Sequence, residues 1–161
     1  MPCKEKLEEY LRQQQIPFQE QQHSIAYTAQ DVAASEHISG KLVAKVVIVF
    51  ADNKMVMLVL PASNRVDFNR LSKALGANEV RLADEAEVAA AFPDCETGAM
   101  PPFGSLYNLP MYVDERLAED KDIVFPVGTH TETMRLKYTD YEQLVNPTLI
   151  EFARPPQAAL P

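Results

Sequence analysis

The fold is decided by residues 41–60, where KLVAKVVIVF (41–50) is followed by ADN and then by KMVMLVL (54–60). Both segments are almost wholly apolar and rich in β-branched residues, which predicts two strands, Lys41 to Phe50 and Lys54 to Leu60. The three residues 51–53 between them predict a tight hairpin turn. Because a continuous apolar run is typical of a strand buried on both faces, we expect this hairpin to lie at the centre of a covered sheet.

Lys45 interrupts the first of these strands, in which all the remaining residues from Leu42 to Phe50 are apolar. A lysine is rarely buried in full unless its ammonium group is paired or used. Two interpretations are open from the sequence. The aliphatic stem packs on apolar neighbours while the ammonium reaches solvent at an edge of the sheet. Alternatively, the ammonium lines a cleft that holds a phosphate or carboxylate, or it stabilises developing negative charge.

Shorter segments on both sides of the hairpin predict helices and further strands, bounded by capping and turn residues. The predicted helices are 4–15, 29–36 beginning after Thr28, 67–75 ending at Gly76, 84–92 with Asp84 and Glu87 as a capping box, a short turn from Asp114, and 139–144 with Thr139 as its cap. The predicted strands are 79–82, 109–113, 122–127 and 132–138, and residues 23–27 are predicted to be extended.

The order of these elements predicts an α/β (α+β) fold in a single domain. A hairpin at the centre excludes a doubly wound parallel sheet, so we expect a curved mixed β-sheet or a partly closed barrel surrounded by short helices. The domain is predicted to cover residues 1–153. The segment 154–161, rich in Pro and Ala, is predicted to be a loose C-terminal tail.

The composition of the 161 residues is that of a soluble globular protein, with 47% hydrophobic and 24% charged residues. No apolar run approaches the ~18 residues needed to cross a bilayer, and residues 1–6 contain no signal-peptide core, so we expect a cytoplasmic protein without membrane contact. Cys3, at an end predicted to fray, and Cys95, in a loop, are expected to be free thiols. The net charge of −8 argues against binding along a long duplex, but one or two cations in a cleft can still recognise a nucleic-acid end.

Two glycine-containing loops are candidates to build such a cleft with Lys45. In Gly98–Gly104 (GAMPPFG), two adjacent prolines stiffen the loop and hold its carbonyl oxygens in fixed directions, where they can position a water or bind an ammonium. In Gly128–Thr131 (GTHT), the threonine hydroxyls can donate to an anion, and His130 can orient a ligand or move a proton. A stiff surface turn and a polar hairpin turn are the structural alternatives for these two segments.

Other classes of site have little support in the sequence. His23, His37 and His130 are far apart and form no short-spaced ligand pair, so no zinc site is predicted. Cys95 has no nucleophile motif around it. The glycine patterns of dinucleotide-binding and P-loop sites are absent from the sequence, and we expect neither a metal nor a cofactor.

Taken in order along the chain, these motifs resemble those of the YbaK family, which is related to the editing domain inserted in bacterial prolyl-tRNA synthetase. The resemblance rests on HSIAYTAQDVA at 23–33, on the strand that carries Lys45, and on the glycine loops at 98–104 and 128–131. It covers residues 4–145, nearly the whole chain, and implies a single α/β domain with a curved mixed sheet.

The resemblance also implies an activity, the hydrolysis of the ester that joins a wrong amino acid to the terminal adenosine of a tRNA. It implies that Lys45 is needed for activity and engages the acceptor-end phosphate, and that the backbone from Gly98 to Pro102 places the substrate amine and the attacking water. His130 matches a residue of the substrate pocket. The catalytic residues so implied are Lys45, Gly98 and His130, and the substrate-binding ones are Ala99, Met100, Pro101, Pro102, Phe103, Gly128 and Thr129.

One position departs from the family pattern. The residue after the lysine is often polar in the family and is Val46 here, although its side chain is predicted to lie on the opposite face of the strand from Lys45. With Lys45, we expect Met100, Phe103 and His130 to line a pocket whose volume selects the amino acid.

The expected function is that of a freestanding aminoacyl-tRNA deacylase, which acts in trans on the acceptor end of a mischarged tRNA. Because an aminoacyl ester is already activated, a positioned water and stabilisation of the oxyanion suffice without a protein nucleophile. The acidic surface suggests weak affinity for tRNA, assisted by an aminoacyl-tRNA synthetase or an elongation factor as partner. A non-catalytic module of the same fold that binds a small molecule or a protein, and a hydrolase of other small esters, are the alternatives.

Overall fold

A computed structural model of the chain describes residues 3–23, 25–26, 28–36 and 39–155. The helices in these residues are α1 Cys3–Gln13, α2 Ala29–Ser35, α3 Phe68–Leu75, α4 Glu85–Ala91 and α5 Tyr138–Val145, with 3₁₀ helices at Gly104–Tyr107 and Glu115–Glu119. The strands are β1 Gln19–Gln22, β2 Ala44–Ala51, β3 Lys54–Pro61, β4 Arg65–Val66, β5 Val80–Leu82, β6 Met111–Asp114, β7 Asp122–Pro126, β8 Glu132–Lys137, β9 Thr148–Ile150 and β10 Ala153–Arg154. None of these helices is long and apolar enough to cross a membrane.

The described strands form mixed sheets, as the sequence predicted. The largest has the order β5-β2-β3-β6-β9, in which β5, β2 and β3 are antiparallel neighbours while β6 is parallel to both β3 and β9. A second sheet, β1-β8-β7, is antiparallel and meets the first where Val43 forms a parallel bridge with Val124. The prediction of a mixed α/β fold with short helices around the sheets is confirmed.

The hairpin of β2 and β3 is the centre of the largest sheet. Its eight residue pairs run from Ala44 opposite Pro61 to the turn at Asp52 and Asn53, whose φ angles of 48° and 67° are those of a two-residue hairpin turn. The two faces of the hairpin pack into different clusters: Ala44 and Ile48 enter the main core, and Val49 enters a second one. The hairpin is therefore covered on both sides, and its position in the sheet is confirmed.

Several predicted helix ends are confirmed by their hydrogen bonds. The Thr28 hydroxyl accepts from the amide of Asp31 at 3.1 Å, and Asp84 with Glu87 forms a complete capping box. Gly76 ends α3 with a φ of 64°. The prediction that Thr139 caps the last helix is wrong, because α5 begins one residue earlier and Lys137 precedes it without a side-chain cap.

The sequence did not reveal four short strands. The first is β1, whose four residues are exposed and polar, and which pairs along β8 through main-chain bonds. Residues 23–27, predicted to be extended, follow it, and the amides of His23 and Ala26 donate to the carbonyls of Thr131 and His130. Ser24 and Tyr27 lie outside the described residues. Strands β4, β9 and β10 have two or three residues each, which is too short for a periodic pattern.

The C-terminal segment is ordered further than predicted. Arg154, at the start of the predicted loose tail, lies in β10, because the buried carboxylate of Asp114 accepts hydrogen bonds from the amides of Phe152 and Ala153 at 2.9 and 2.7 Å. These bonds fix the chain beside β4. The domain boundary at residue 153 stays a prediction, and residues 156–161 lie outside the described part of the chain.

Cys3 is buried, and the prediction that it lies in a frayed end is wrong. Its amide donates to the carbonyl of Asp94 at 3.3 Å, and its thiol lies 3.4 Å from the Tyr107 hydroxyl, which also contacts the thiol of Cys95 at 3.2 Å. Both cysteines are free, as predicted. These contacts attach the start of α1 to the segment that leads into the Gly98 loop.

Candidate active site

A cleft opens at the beginning of β2, where the two glycine loops meet the strand that carries Lys45. Its empty volume is about 390 Å³, part of which is open to solvent. The lining residues are Ala26, Thr28, Val32, Val43, Ala44, Lys45, Val46, Gly98, Pro126, Thr129 and His130. Four residues predicted for the site, Lys45, Gly98, Thr129 and His130, are thus brought together from three distant parts of the sequence.

Lys45 is the cation of this cleft. It is half-buried, and among the residues that the structure describes no carboxylate lies within ion-pair distance of its ammonium. Burial, followed by the positive charge of Arg65, lowers the pKa of Lys45 below its usual value. Of the two interpretations of this lysine, the structure supports an ammonium that lines a cleft, where an anionic ligand would restore the missing charge partner.

The cleft follows the part of the β2 edge that lies between the Val43–Val124 bridge to β7 and the pairing with β5, which involves only the last three residues of β2. Main-chain groups of a strand alternate between its two edges. The carbonyl of Val43 accepts from Ala62 on the β3 side, whereas the carbonyl of Ile48 accepts from Ala83 on the β5 side. The same alternation directs the amide and carbonyl of Val46 towards the cleft, where they have no hydrogen-bond partner among the described residues.

This open edge also explains why Val46 lines the cleft. Its side chain was predicted to lie on the opposite face of β2 from Lys45, and the alternation of the strand agrees with that. A cleft that runs along a strand edge contacts residues from both faces, so Lys45 and Val46 contribute together.

Gly98 forms the wall opposite this edge in a conformation that favours glycine. Its φ is 88°, and a Cβ placed there would lie 3.8 Å from Cε1 of His130. The two glycine loops are joined through main-chain bonds of 2.8 Å, in which the Gly128 amide donates to Ala99 and the Glu96 amide donates to Gly128. The loops therefore form one wall, and a shift of one loop moves the other.

His130 is oriented by Glu96, a residue that the sequence did not single out. Its side chain is 14% exposed, and its Nε2 lies 3.7 Å from Oε2 of Glu96. The same carboxylate oxygen accepts from the backbone amide of His130 at 3.3 Å. Glu96 lies two residues before Gly98, and this closeness to a predicted loop was the one feature of the sequence that could have indicated its role.

Thr129 lines the cleft, and its hydroxyl already donates a hydrogen bond within the protein. The hydroxyl donates to Oε1 of Glu132 at 3.2 Å, so its proton is directed at a side-chain carboxylate and not at an anionic ligand. Its oxygen keeps the capacity to accept a hydrogen bond from a substrate amine. Lys4 forms an ion pair with Glu132, which places this carboxylate against α1.

The other predicted substrate-binding residues do not line this cleft. Phe103 is fully buried and packs against Phe125 and Tyr141 with ring centroids 5.4 Å apart, so the prediction that its side chain lines the pocket is not supported. The remaining residues lie behind the wall or beside it: Ala99, Met100, Pro101 and Pro102 are buried, and Met100 borders a separate shallow groove.

Gly128 and Pro102 hold the wall in place. Gly128 has a φ of 99°, and a Cβ placed there would lie 2.8 Å from the Cβ of Cys3, so this glycine contacts α1 and does not face the cleft. The carbonyl of Pro102 accepts from the buried Tyr141 hydroxyl at 2.7 Å. The contact with Cys3 explains why residue 128 is a glycine, and the Tyr141 bond fixes the Gly98 loop through a main-chain carbonyl.

Part of the cleft lining was not predicted as substrate-binding. Ala26, Thr28 and Val32 belong to the HSIAYTAQDVA motif, which served only to identify the family resemblance, and Pro126 ends β7. No group of three or more potential metal-ligating side chains occurs in the described ranges, and His37 lies outside them, so the expected absence of a metal stays a prediction.

Comparisons with known proteins agree with this architecture. Residues 23–144 match the family model described as aminoacyl-tRNA editing domain. The chain is 33% identical over 103 residues to the multifunctional Ser/Thr-tRNA deacylase ProXp-y of Escherichia coli, in a match that covers 63% of this chain and 61% of that protein. It is 36% identical over 77 residues to the proline–tRNA ligase of Thiobacillus denitrificans, which is 48% of this chain and 13% of the ligase.

Solved structures support the fold. A proposed trans-editing enzyme for prolyl tRNA synthetase superposes with a TM-score of 0.80 at 19% identity, covering 96% of this chain and 98% of the other. A hypothetical protein superposes with a TM-score of 0.83 at 20% identity, covering 92% and 99% of the two chains. At this level of identity the similarity establishes a shared fold.

Proposed function

The chain belongs to the aminoacyl-tRNA editing domain family, and we propose that it is a freestanding deacylase that hydrolyses the ester of a mischarged tRNA in trans. The observation that carries the proposal is the ammonium of Lys45, which lines a cleft with Gly98 and His130 and has no acidic partner in the described part of the chain. Such a cation favours an anionic ligand, and both the acceptor-end phosphate and the oxyanion of ester hydrolysis supply one.

The reaction needs a water, a proton acceptor and an oxyanion site. His130, held by the Glu96 carboxylate, accepts a proton as the water attacks the ester carbonyl carbon. The oxyanion that forms is stabilised by the Lys45 ammonium and by the Val46 amide on the open edge of β2. When the bond to the ribose oxygen breaks, that oxygen takes up the proton, and the free amino acid and tRNA leave.

The cleft favours a small amino acid. Its empty volume is only about 390 Å³, and Val32, Lys45 and His130 take up part of the space between its walls. The carbonyls of the glycine loops and the Thr129 oxygen are suited to the substrate amine. Because the relative from Escherichia coli is described as a Ser/Thr-tRNA deacylase, seryl and threonyl esters are candidate substrates, and alanyl and cysteinyl esters, whose side chains are also small, are two more.

The partners follow from this function. The acceptor end of the tRNA occupies the cleft, and an aminoacyl-tRNA synthetase is a further partner, since a prolyl enzyme shares the domain. We place the reaction in the cytoplasm, where aminoacyl-tRNA is made. The chain is matched to 61% of the length of the Escherichia coli relative and to 13% of the ligase, so the substrate is named here as a class.

The test is the deacylation of seryl-, threonyl-, alanyl- and cysteinyl-tRNA by the wild type and by Lys45→Ala. We expect one or more of these esters to be hydrolysed by the wild type, with a loss of about two orders of magnitude in the variant, because one preorganised donor contributes about 3 kcal/mol. A folded wild-type protein that hydrolyses none of them would refute the proposal and favour a non-catalytic binding module.

A further inference from the structure

Two arginines face each other beside the cleft. In the β4–β10 ladder Arg65 lies directly opposite Arg154, and both are exposed. Directly opposed residues of an antiparallel pair project from the same face, with Cβ atoms about 5 Å apart. Like charges in this arrangement repel, so the pair destabilises its own ladder unless an anion lies between or above the two guanidinium groups.

The described residues supply no such anion. No carboxylate of the described residues lies within 4.0 Å of either guanidinium, although the protein as a whole is acidic. The nearest acids along the chain, Asp67 and Glu151, are both paired with Arg70, at 3.8 and 2.9 Å. The donors of Arg65 and Arg154 therefore point to a ligand outside the chain.

The arginine pair adjoins the cleft through the turn between β3 and β4. In this turn the amide of Ala62 donates to the carbonyl of Val43, a lining residue of the cleft, at 2.8 Å. The charge of Arg65 also reaches the ammonium of Lys45 and lowers its pKa. Lys45, Arg65 and Arg154 thus form a series of cations that leads from the cleft to the surface.

We propose that Arg65 and Arg154 bind backbone phosphates of the tRNA acceptor stem whose aminoacyl end occupies the cleft. This inference rests on the proposed function. A guanidinium group binds a phosphate through two parallel hydrogen bonds, and one phosphate on each arginine would offset the repulsion of the pair. Since the net charge of −8 repels nucleic acid elsewhere, binding must concentrate on such a local surface.

The experiment measures the binding of a fluorescent, deacylated acceptor-stem RNA hairpin by anisotropy over a range of salt concentrations. The variant is Arg65→Gln with Arg154→Gln. The matched control is Lys54→Gln with Lys73→Gln, which removes the same charge from two exposed lysines that also lack an acidic partner among the described residues. Lys54 lies at the hairpin tip, at the far end of β3 from Lys45.

We expect the arginine variant to bind on the order of ten-fold more weakly than the control, with a salt slope smaller by roughly 1.4 to 1.8, since each phosphate contact contributes about 0.7 to 0.9. Its melting temperature should equal or exceed that of the wild type, because repulsion is removed. Equal affinities and slopes for the two variants, or no RNA binding by the wild type at low salt, would overturn the proposal. Because the RNA carries no ester, these outcomes do not depend on whether the protein hydrolyses any substrate.

Discussion

The open edge of β2 leads to a prediction about two adjacent residues, Val46 and Val47. The ladder directs the Val47 amide towards β3, where it pairs with Leu58, and the Val46 amide towards the cleft. Proline has no amide hydrogen, so the two substitutions remove different bonds. Val46→Pro should remove a donor to the ligand, whereas Val47→Pro should remove a bond that holds the central hairpin.

The magnitudes follow from burial. Leu58 is fully buried, so Val47→Pro leaves its carbonyl without a donor, which costs about 1–3 kcal/mol before any steric strain. Val46→Pro breaks no ladder bond, and we expect its free energy of unfolding to fall by clearly less. Loss of one oxyanion donor lowers kcat by about 10²–10³-fold, so Val46→Pro should be folded and nearly inactive.

Urea unfolding of both variants and deacylation by Val46→Pro check this prediction, with Val46→Ala as the control that removes the side chain but keeps the amide. Two results would contradict the reasoning. If Val46→Pro unfolds as readily as Val47→Pro, the edge is not open. If folded Val46→Pro turns over substrate as fast as Val46→Ala, the amide contributes nothing to the reaction.

Three further predictions concern the residues around the cleft. Lys45→Met should not lower the free energy of unfolding at pH 7, because no described carboxylate loses its partner. Between the lowered pKa of Lys45 in the folded state and 10.5, the unfolded chain binds more protons than the folded one. As the pH rises through this range, the wild type should therefore gain stability relative to the variant in unfolding experiments. Gly128→Ala should lower the free energy of unfolding by about 1–3 kcal/mol, because its φ is 99° and the new Cβ would lie 2.8 Å from Cys3. Gly76→Ala, with a φ of 64° but open space around it, should lower it by less. Equal losses of stability in thermal unfolding would show that the contact with Cys3 is unimportant. Tyr141→Phe should cost about 1–3 kcal/mol by leaving the Pro102 carbonyl without its donor, and should lower kcat/KM by displacing the Gly98 loop; unchanged kcat/KM would argue against a coupling of loop and core.

Much of the fold could be predicted because its signals are local. The Asp52–Asn53 turn, the Asp84–Glu87 capping box and the Gly76 helix end depend on residues within a few positions of one another, and each is confirmed. Strand β1 was not predicted, because an edge strand held by main-chain bonds needs no apolar pattern.

The candidate site likewise contains residues that could be predicted from the sequence and residues that could not. Lys45, Gly98 and His130 stood out in the sequence because each breaks a local pattern or follows a strand, and they meet in one cleft. Phe103 occupies the same loop as Gly98 yet belongs to the core, since adjacent residues of an irregular loop face different directions and no period separates them. Glu96 acquires its role only through its distance to His130.

The central hairpin, the helix ends and the presence of a cation in an apolar strand could be predicted from neighbouring residues, because periodicity and capping are local properties. The packing of distant segments sets which part of the β2 edge stays open and which arginines oppose each other. Both depend on how far β5 extends along β2 and on where β10 returns to β4, and these pairings join residues that are about 30 and 90 positions apart. Lys45 lines the cleft because those distant strands leave this part of the β2 edge uncovered.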